Sequence, residues 1–150
     1  MDEAPTPRRL GGWLILAMVV LFAWPLKLAS TAVLTWVEVK EAGVSYAELD
    51  PEWLFLTGWD LLTAGCLAAL SVWTLPQFWK KRKVARTLML TFFAANFTVG
   101  VGNAVLAAVF APVGSPPASV VPFLVMLLIN GAWISYFSKS KRVLETFIRP

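Results

Sequence analysis

The sequence predicts an all-α polytopic membrane protein, with four transmembrane helices in an antiparallel bundle and both termini cytoplasmic. Three observations carry this reading. The mean hydropathy is +0.68, with 58% hydrophobic and 15% charged residues. Soluble domains run at about 45–50% apolar and about 25% charged. A chain of 150 residues cannot hide that much apolar surface in a core of its own, because small folds keep a high surface-to-volume ratio. The apolar residues also gather into four long runs, and the basic residues fall almost wholly on alternate sides of them.

The runs are 13–36, 53–75, 88–110 and 120–137. A helix needs roughly 20 apolar residues to cross a hydrocarbon core of about 30 Å, so all four qualify, the last with little to spare. Backbone amides in lipid must pair internally, which selects helices. None of the runs has the alternation of a barrel strand. The first run is too long for the apolar region of a signal peptide and reads as an uncleaved helix. Pro25 inside it removes an amide and frees the carbonyl of Leu21. Asp50-Pro51-Glu52 reads as an N-cap, a proline at the first helical position and an acidic first turn, so the second helix starts there.

Orientation follows from charge. Arg8 and Arg9 precede the first run, Lys80, Lys81, Arg82, Lys83 and Arg86 separate the second and third, and Lys139, Lys141, Arg142 and Arg149 follow the fourth. Of the 13 Lys and Arg residues only Lys27 and Lys40 lie elsewhere. The positive-inside rule puts those three segments in the cytoplasm, and the net charge of +4 is then a topology signal, not a nucleic-acid footprint. Trp13 and Trp79 mark the inner boundary, and Trp36 and Trp53 the outer one. Trp24 and Trp73 sit deeper and read as packing residues.

The chain opens its first helix with Gly11-Gly12-Trp13-Leu14, followed by Pro25. It closes with Trp133-Ile134-Ser135-Tyr136-Phe137, then Ser138-Lys139-Ser140-Lys141-Arg142-Val143, then Thr146-Phe147. This pattern resembles the DUF2569 family of small bacterial membrane proteins over nearly the whole chain. The resemblance implies four helices in a bacterial inner membrane. It carries no catalytic residue with it.

Within the spans, polar residues are the informative ones, because an intramembrane charge is costly and marks a function or a specific pairing. Lys27 lies about 13 Å below the outer boundary at 1.5 Å per residue, and Asp60 and Asn103 about 10 Å below it. A Lys27–Asp60 ion pair completed by Asn103 is the economical reading. Such a layer either fixes helix register or forms a ligand or proton site, while Lys27 can also snorkel outward on its long stem. Asn130 lies about 15 Å down and Asn96 nearer the inner half, and both read as interhelical glue. Gly100 and Gly102, and Gly65 with Ala64 and Ala68, offer smooth surfaces for close helix approach. The tail, 138–150, places Val143, Leu144, Phe147 and Ile148 on one helical face and Lys141, Arg142, Glu145 and Arg149 on the other. It is expected to anchor on the inner leaflet or dock on a partner, with Lys141, Arg142, Val143 and Phe147 as the contact residues.

No catalytic constellation is present. The chain has no histidine and one cysteine, Cys66, so an intrachain disulfide, an ordinary zinc site and a histidine-ligated haem are excluded. There is no phosphate loop either. No cofactor and no metal are expected. The expected function is that of a non-enzymatic accessory subunit packing against another membrane complex. The alternative is a small transporter, channel component or immunity-type protein using Lys27, Asp60 and Asn103. An enzyme acting on lipid or quinone is the remote third reading.

Overall fold

The structure, a computed structural model, describes residues 12–43, 50–110 and 120–147. Arg8, Arg9, Val44–Glu48, the uncharged loop 111–119, Ile148 and Arg149 lie outside the described residues. The described chain is helical: α1 (Trp13–Ala42), α2 (Pro51–Trp79), α3 (Lys83–Val109), α4 (Val120–Lys139) and a short α5 (Lys141–Thr146). Three helices are long and apolar enough to cross a membrane, at Trp13–Glu41, Pro51–Trp79 and Lys83–Val109, and the apolar stretch of α4, Phe123–Lys139, is shorter.

The helices outrun the apolar stretches, because extending a formed helix costs far less than starting one. α1 continues through Glu38, Lys40 and Glu41 until Gly43 ends it at φ 64°. α2 starts as its sequence dictates, with the Asp50 carboxylate accepting the Glu52 amide at 2.8 Å and Pro51 in the first turn. At its other end the Lys81 amide donates to the Phe78 carbonyl and the Arg82 amide to the Gln77 carbonyl, both at 3.0 Å. That pattern needs a left-handed residue, usually glycine, and here Lys81 takes it at φ 55°. The reversal is tight enough for α3 to begin at Lys83.

α1 packs on α2, α2 on α3 and α3 on α4. Each pair is antiparallel, as its cross-links show. Ser71 near the end of α2 meets Leu21 near the start of α1, and Arg86 at the start of α3 meets Phe137 at the end of α4. The start of α1, the end of α2, the start of α3 and the end of α4 therefore share one end of the bundle. Lys80, Lys81, Arg82, Lys83, Arg86, Lys139, Lys141 and Arg142 all lie at that end.

The core is concentrated there too. Leu14, Ala17 and Leu21 of α1, Phe78 of α2, Phe92 and Phe93 of α3 and Phe137 of α4 are fully or almost fully buried. Phe93 stacks on Trp133 at 5.3 Å with planes 5° apart. Trp24 packs edge-on against Phe92, as a packing residue should, but Trp73 is exposed and does not join the core. Gly100 admits Met126 of α4 so closely that a Cβ there would meet its methyl at 2.2 Å. Gly65 makes no comparable contact, although its neighbours Ala64 and Ala68 are buried.

The tail corrects its sequence reading. Ser140 leaves helical geometry at ψ 119°, and the chain turns back so that α5 lies on the bundle. Val143, Thr146 and Phe147, spaced as one helical face, are buried, and the Phe147 ring sits 4.9 Å from that of Phe78. Val143 and Phe147 are core residues of this chain and are not available to a partner or to lipid. Leu144, Lys141 and Arg142 remain exposed.

Phe147→Ala should therefore lower stability by about 3 kcal/mol or more, the cost of emptying a buried aromatic site, when unfolding is followed in detergent. A tail that merely rests on a membrane would show no loss.

Candidate functional site

Helical spacing brings the polar residues of three helices to one place. On α1, Trp24, Lys27 and Thr31 recur every three or four residues. On α2, Asp60, Thr63, Ala64 and Leu67 do the same, and on α3 Val99 and Asn103 are one turn apart. These residues line a cavity of ≈170 Å³ in the half of the bundle away from the basic end. Lys27, Asp60 and Asn103 thus share one site.

Their bonding differs from the expected pair. Trp59 Nε1 donates to Asn103 Oδ1 at 2.7 Å, and Asn103 Nδ2 donates to Asp60 Oδ1 at 3.3 Å. The Thr63 hydroxyl donates back to the carbonyls of Trp59 and Asp60 at 2.8 and 3.2 Å. The Lys27 ammonium lies 4.5 Å from the centre of the Trp24 ring, a cation–π contact set by their three-residue spacing on α1. Among the described residues Lys27 forms no ion pair with Asp60. The indole one turn back holds the ammonium, and the cavity lies between the two charges.

Gly102 lies beside this network, and a Cβ there would stand 3.4 Å from the Trp59 ring, an ordinary van der Waals contact. Trp59 was not singled out in the sequence, although it stands next to Asp60.

The other two asparagines form a separate clamp. Asn96 Nδ2 donates to Asn130 Oδ1 at 2.9 Å, and Asn130 Nδ2 donates to the Met126 carbonyl at 2.9 Å. Asn130 is buried. The amide pair ties α3 to α4 and is not part of the cavity lining, so the polar residues form a three-helix site and a two-helix bolt.

Two further contacts escaped the sequence. The Leu21 carbonyl, freed by Pro25, accepts the hydroxyl of buried Ser71. Arg86 donates through Nε to the Phe137 carbonyl and through Nη2 to the Ser138 carbonyl, both at 2.9 Å. It caps the end of α4, where orphan carbonyls and the negative end of the helix dipole favour a cation. In the sequence Arg86 carried only its charge.

The family described as protein of unknown function (DUF2569) matches residues 7–148, and the chain belongs to it. No curated protein and no solved structure matches the chain.

The Asn96–Asn130 bond should register as a coupling of about 0.6 kcal/mol, the mean for polar pairs between membrane helices, and at most about 1.7 kcal/mol. A double-mutant cycle with Asn96→Leu and Asn130→Leu in detergent checks it. Additive losses would mean that the two amides do not act together.

Proposed function

We propose that this chain is a non-enzymatic, four-span protein of the bacterial cytoplasmic membrane with both termini inside, whose outer-half cavity binds a small zwitterionic solute. The observation that carries the reading is the placement of Lys27 and Asp60 in one cavity without an ion pair between them. Charges within membrane-crossing helices are retained for a purpose. One ammonium and one carboxylate on separate walls complement a molecule that bears both opposite charges. The absence of a catalytic constellation in the sequence supports a binding or transport role over chemistry.

The spans and their direction rest on two further supports. α4 has 20 residues, about 30 Å at 1.5 Å per residue, which matches the hydrocarbon core. The basic residues of the α2–α3 turn and of the end of α4 share one end of the bundle, as the positive-inside rule requires of a cytoplasmic face. In a Cys66→Ser background, Ser115→Cys should react with an impermeant maleimide added to intact cells. Lys80→Cys should react only after permeabilisation. The reverse pattern would invert the topology.

Trp24 lines the cavity and Trp59 is bonded to Asn103 of its wall, so occupancy should change intrinsic fluorescence. Titrating the full chain in nanodiscs with glycine and taurine as probes should give saturable binding. Asp60→Asn and Lys27→Gln should each weaken it by about tenfold or more, the equivalent of losing one charged hydrogen bond. Asn130→Leu should leave it intact. Probe affinity indifferent to both charges would sink the zwitterion site.

A second reading, an accessory subunit of another membrane complex, draws on the outer half of α1, where Leu26, Val33, Leu34 and Trp36 are exposed. Its discriminating observation is co-purification with a larger assembly in mild detergent.

A further inference from the structure

The bundle is not a closed ring. α1 and α4 meet at the basic end, where the rings of Trp13 and Trp133 stand 5.9 Å apart. Beside that contact an apolar groove of ≈580 Å³ opens between the two helices. Leu16 and Val20 form one wall, Ile129 and Ala132 the other, and Trp133 and Tyr136 line its basic end. Its volume falls in the range of about 300–1,000 Å³ typical of ligand pockets. From Trp13 to Val20 it runs about 10 Å along the axis, within the depth of one leaflet of a core about 30 Å thick.

The mouth of the groove is basic. Lys139 follows Tyr136 by one turn on α4 and is exposed. Arg142, also exposed, brings its guanidinium Nη1 to 3.9 Å from the place of a Cβ on Gly12, the residue before Trp13. One cation thus extends the α4 wall and the other stands at the head of the α1 wall. A fifth helix about 10–12 Å wide cannot lie between α1 and α4 where they touch, whereas a single hydrocarbon chain can rest in the slot beside the two rings. We infer that the α1–α4 groove holds an acyl chain of one anionic phospholipid, with its phosphate at Lys139 and Arg142.

Native mass spectrometry of the full chain, released from detergent after addition of dioleoyl phosphatidylglycerol or dioleoyl phosphatidylcholine, tests this. One phosphatidylglycerol should stay bound per chain, at least tenfold in preference to phosphatidylcholine. The Lys139→Gln, Arg142→Gln double variant should lose about 30-fold in retention of the anionic lipid. That is about 1 kcal/mol per basic residue, converted at about 1.4 kcal/mol per tenfold. Ala132→Phe, which fills the slot from an exposed position, should expel both lipids, and Leu16→Phe does the same from the opposite wall should the first variant not fold. Equal retention of the two lipids, an unchanged preference in the charge variant, or release as a lipid-free dimer would each overturn the assignment.

Discussion

Lipid gives an apolar helix no reason to leave it for another helix, so this bundle rests on packing shape and on a few polar bonds. Both are concentrated at the basic end. Phe78, Phe92, Phe93, Trp133 and Phe137 interlock there, with Leu14, Ala17 and Leu21 of α1 against them. Aromatic pairs contribute about 0.5–1.5 kcal/mol each beyond the area they bury, and that gain survives in a membrane because it depends on geometry rather than on water. The polar bonds stand on the same scaffold. Ser71 satisfies the carbonyl that Pro25 releases, and Arg86 gathers the last carbonyls of α4. Without a partner each exposed backbone group in hydrocarbon would cost several kcal/mol, and the serine of α2 supplies the bond that the proline of α1 removes.

Much of this was legible in the sequence, and the reasons are physical. Hydropathy reported the helices because a span must be continuously apolar over a fixed length. The start of α2 was readable because an N-cap, a following proline and an acidic turn act within four residues. The freed carbonyl of Leu21 was readable for the same reason: proline's effect is local. Its partner was not, since Ser71 lies 50 residues away and nothing local distinguishes it from other serines in apolar runs. The site was half legible. Depth arithmetic brought Lys27, Asp60 and Asn103 to one level, and the cavity joins them. Depth says nothing of azimuth, however, and the ammonium found its ring on its own helix before it could find a carboxylate on another.

The tail went wrong for a related reason. Its residues read as an amphipathic helix whose apolar face rests on lipid or on a partner. Ser140 breaks the helix and turns α5 onto the bundle, so neighbouring helices and not lipid decide which side is covered. The buried face became Val143, Thr146 and Phe147, and Leu144 was left outside. A threonine hydroxyl joins the buried face because it is satisfied internally, by the Arg142 carbonyl at 2.7 Å. Composition alone marks Thr146 as polar and gives no sign that it faces inward. Turning the tail inward also changes what Lys141 and Arg142 do. Both are carried by α5 on the bundle, and Arg142 reaches Gly12 at the start of α1.

The molecule is therefore asymmetric along its axis. One end is tightly packed, aromatic and basic. At the other, α1 exposes Leu26, Val33, Leu34 and Trp36 and the helices leave a cavity that holds two charges. This division has a thermodynamic logic. Intramembrane charges are costly, and the helices that carry Lys27 and Asp60 are secured mainly at the other end of the bundle. The Asn96–Asn130 bolt and the Gly100–Met126 contact continue that security along α3 and α4, toward but not into the cavity. Among the described residues α1 has no equivalent side-chain hydrogen bond to another helix at the depth of Lys27. Its nearest polar link to another helix is Ser71 on Leu21, almost two turns away. α1 is accordingly held at this depth by its apolar packing on α2, and the Lys27 ammonium rests on the ring of Trp24, a residue of its own helix.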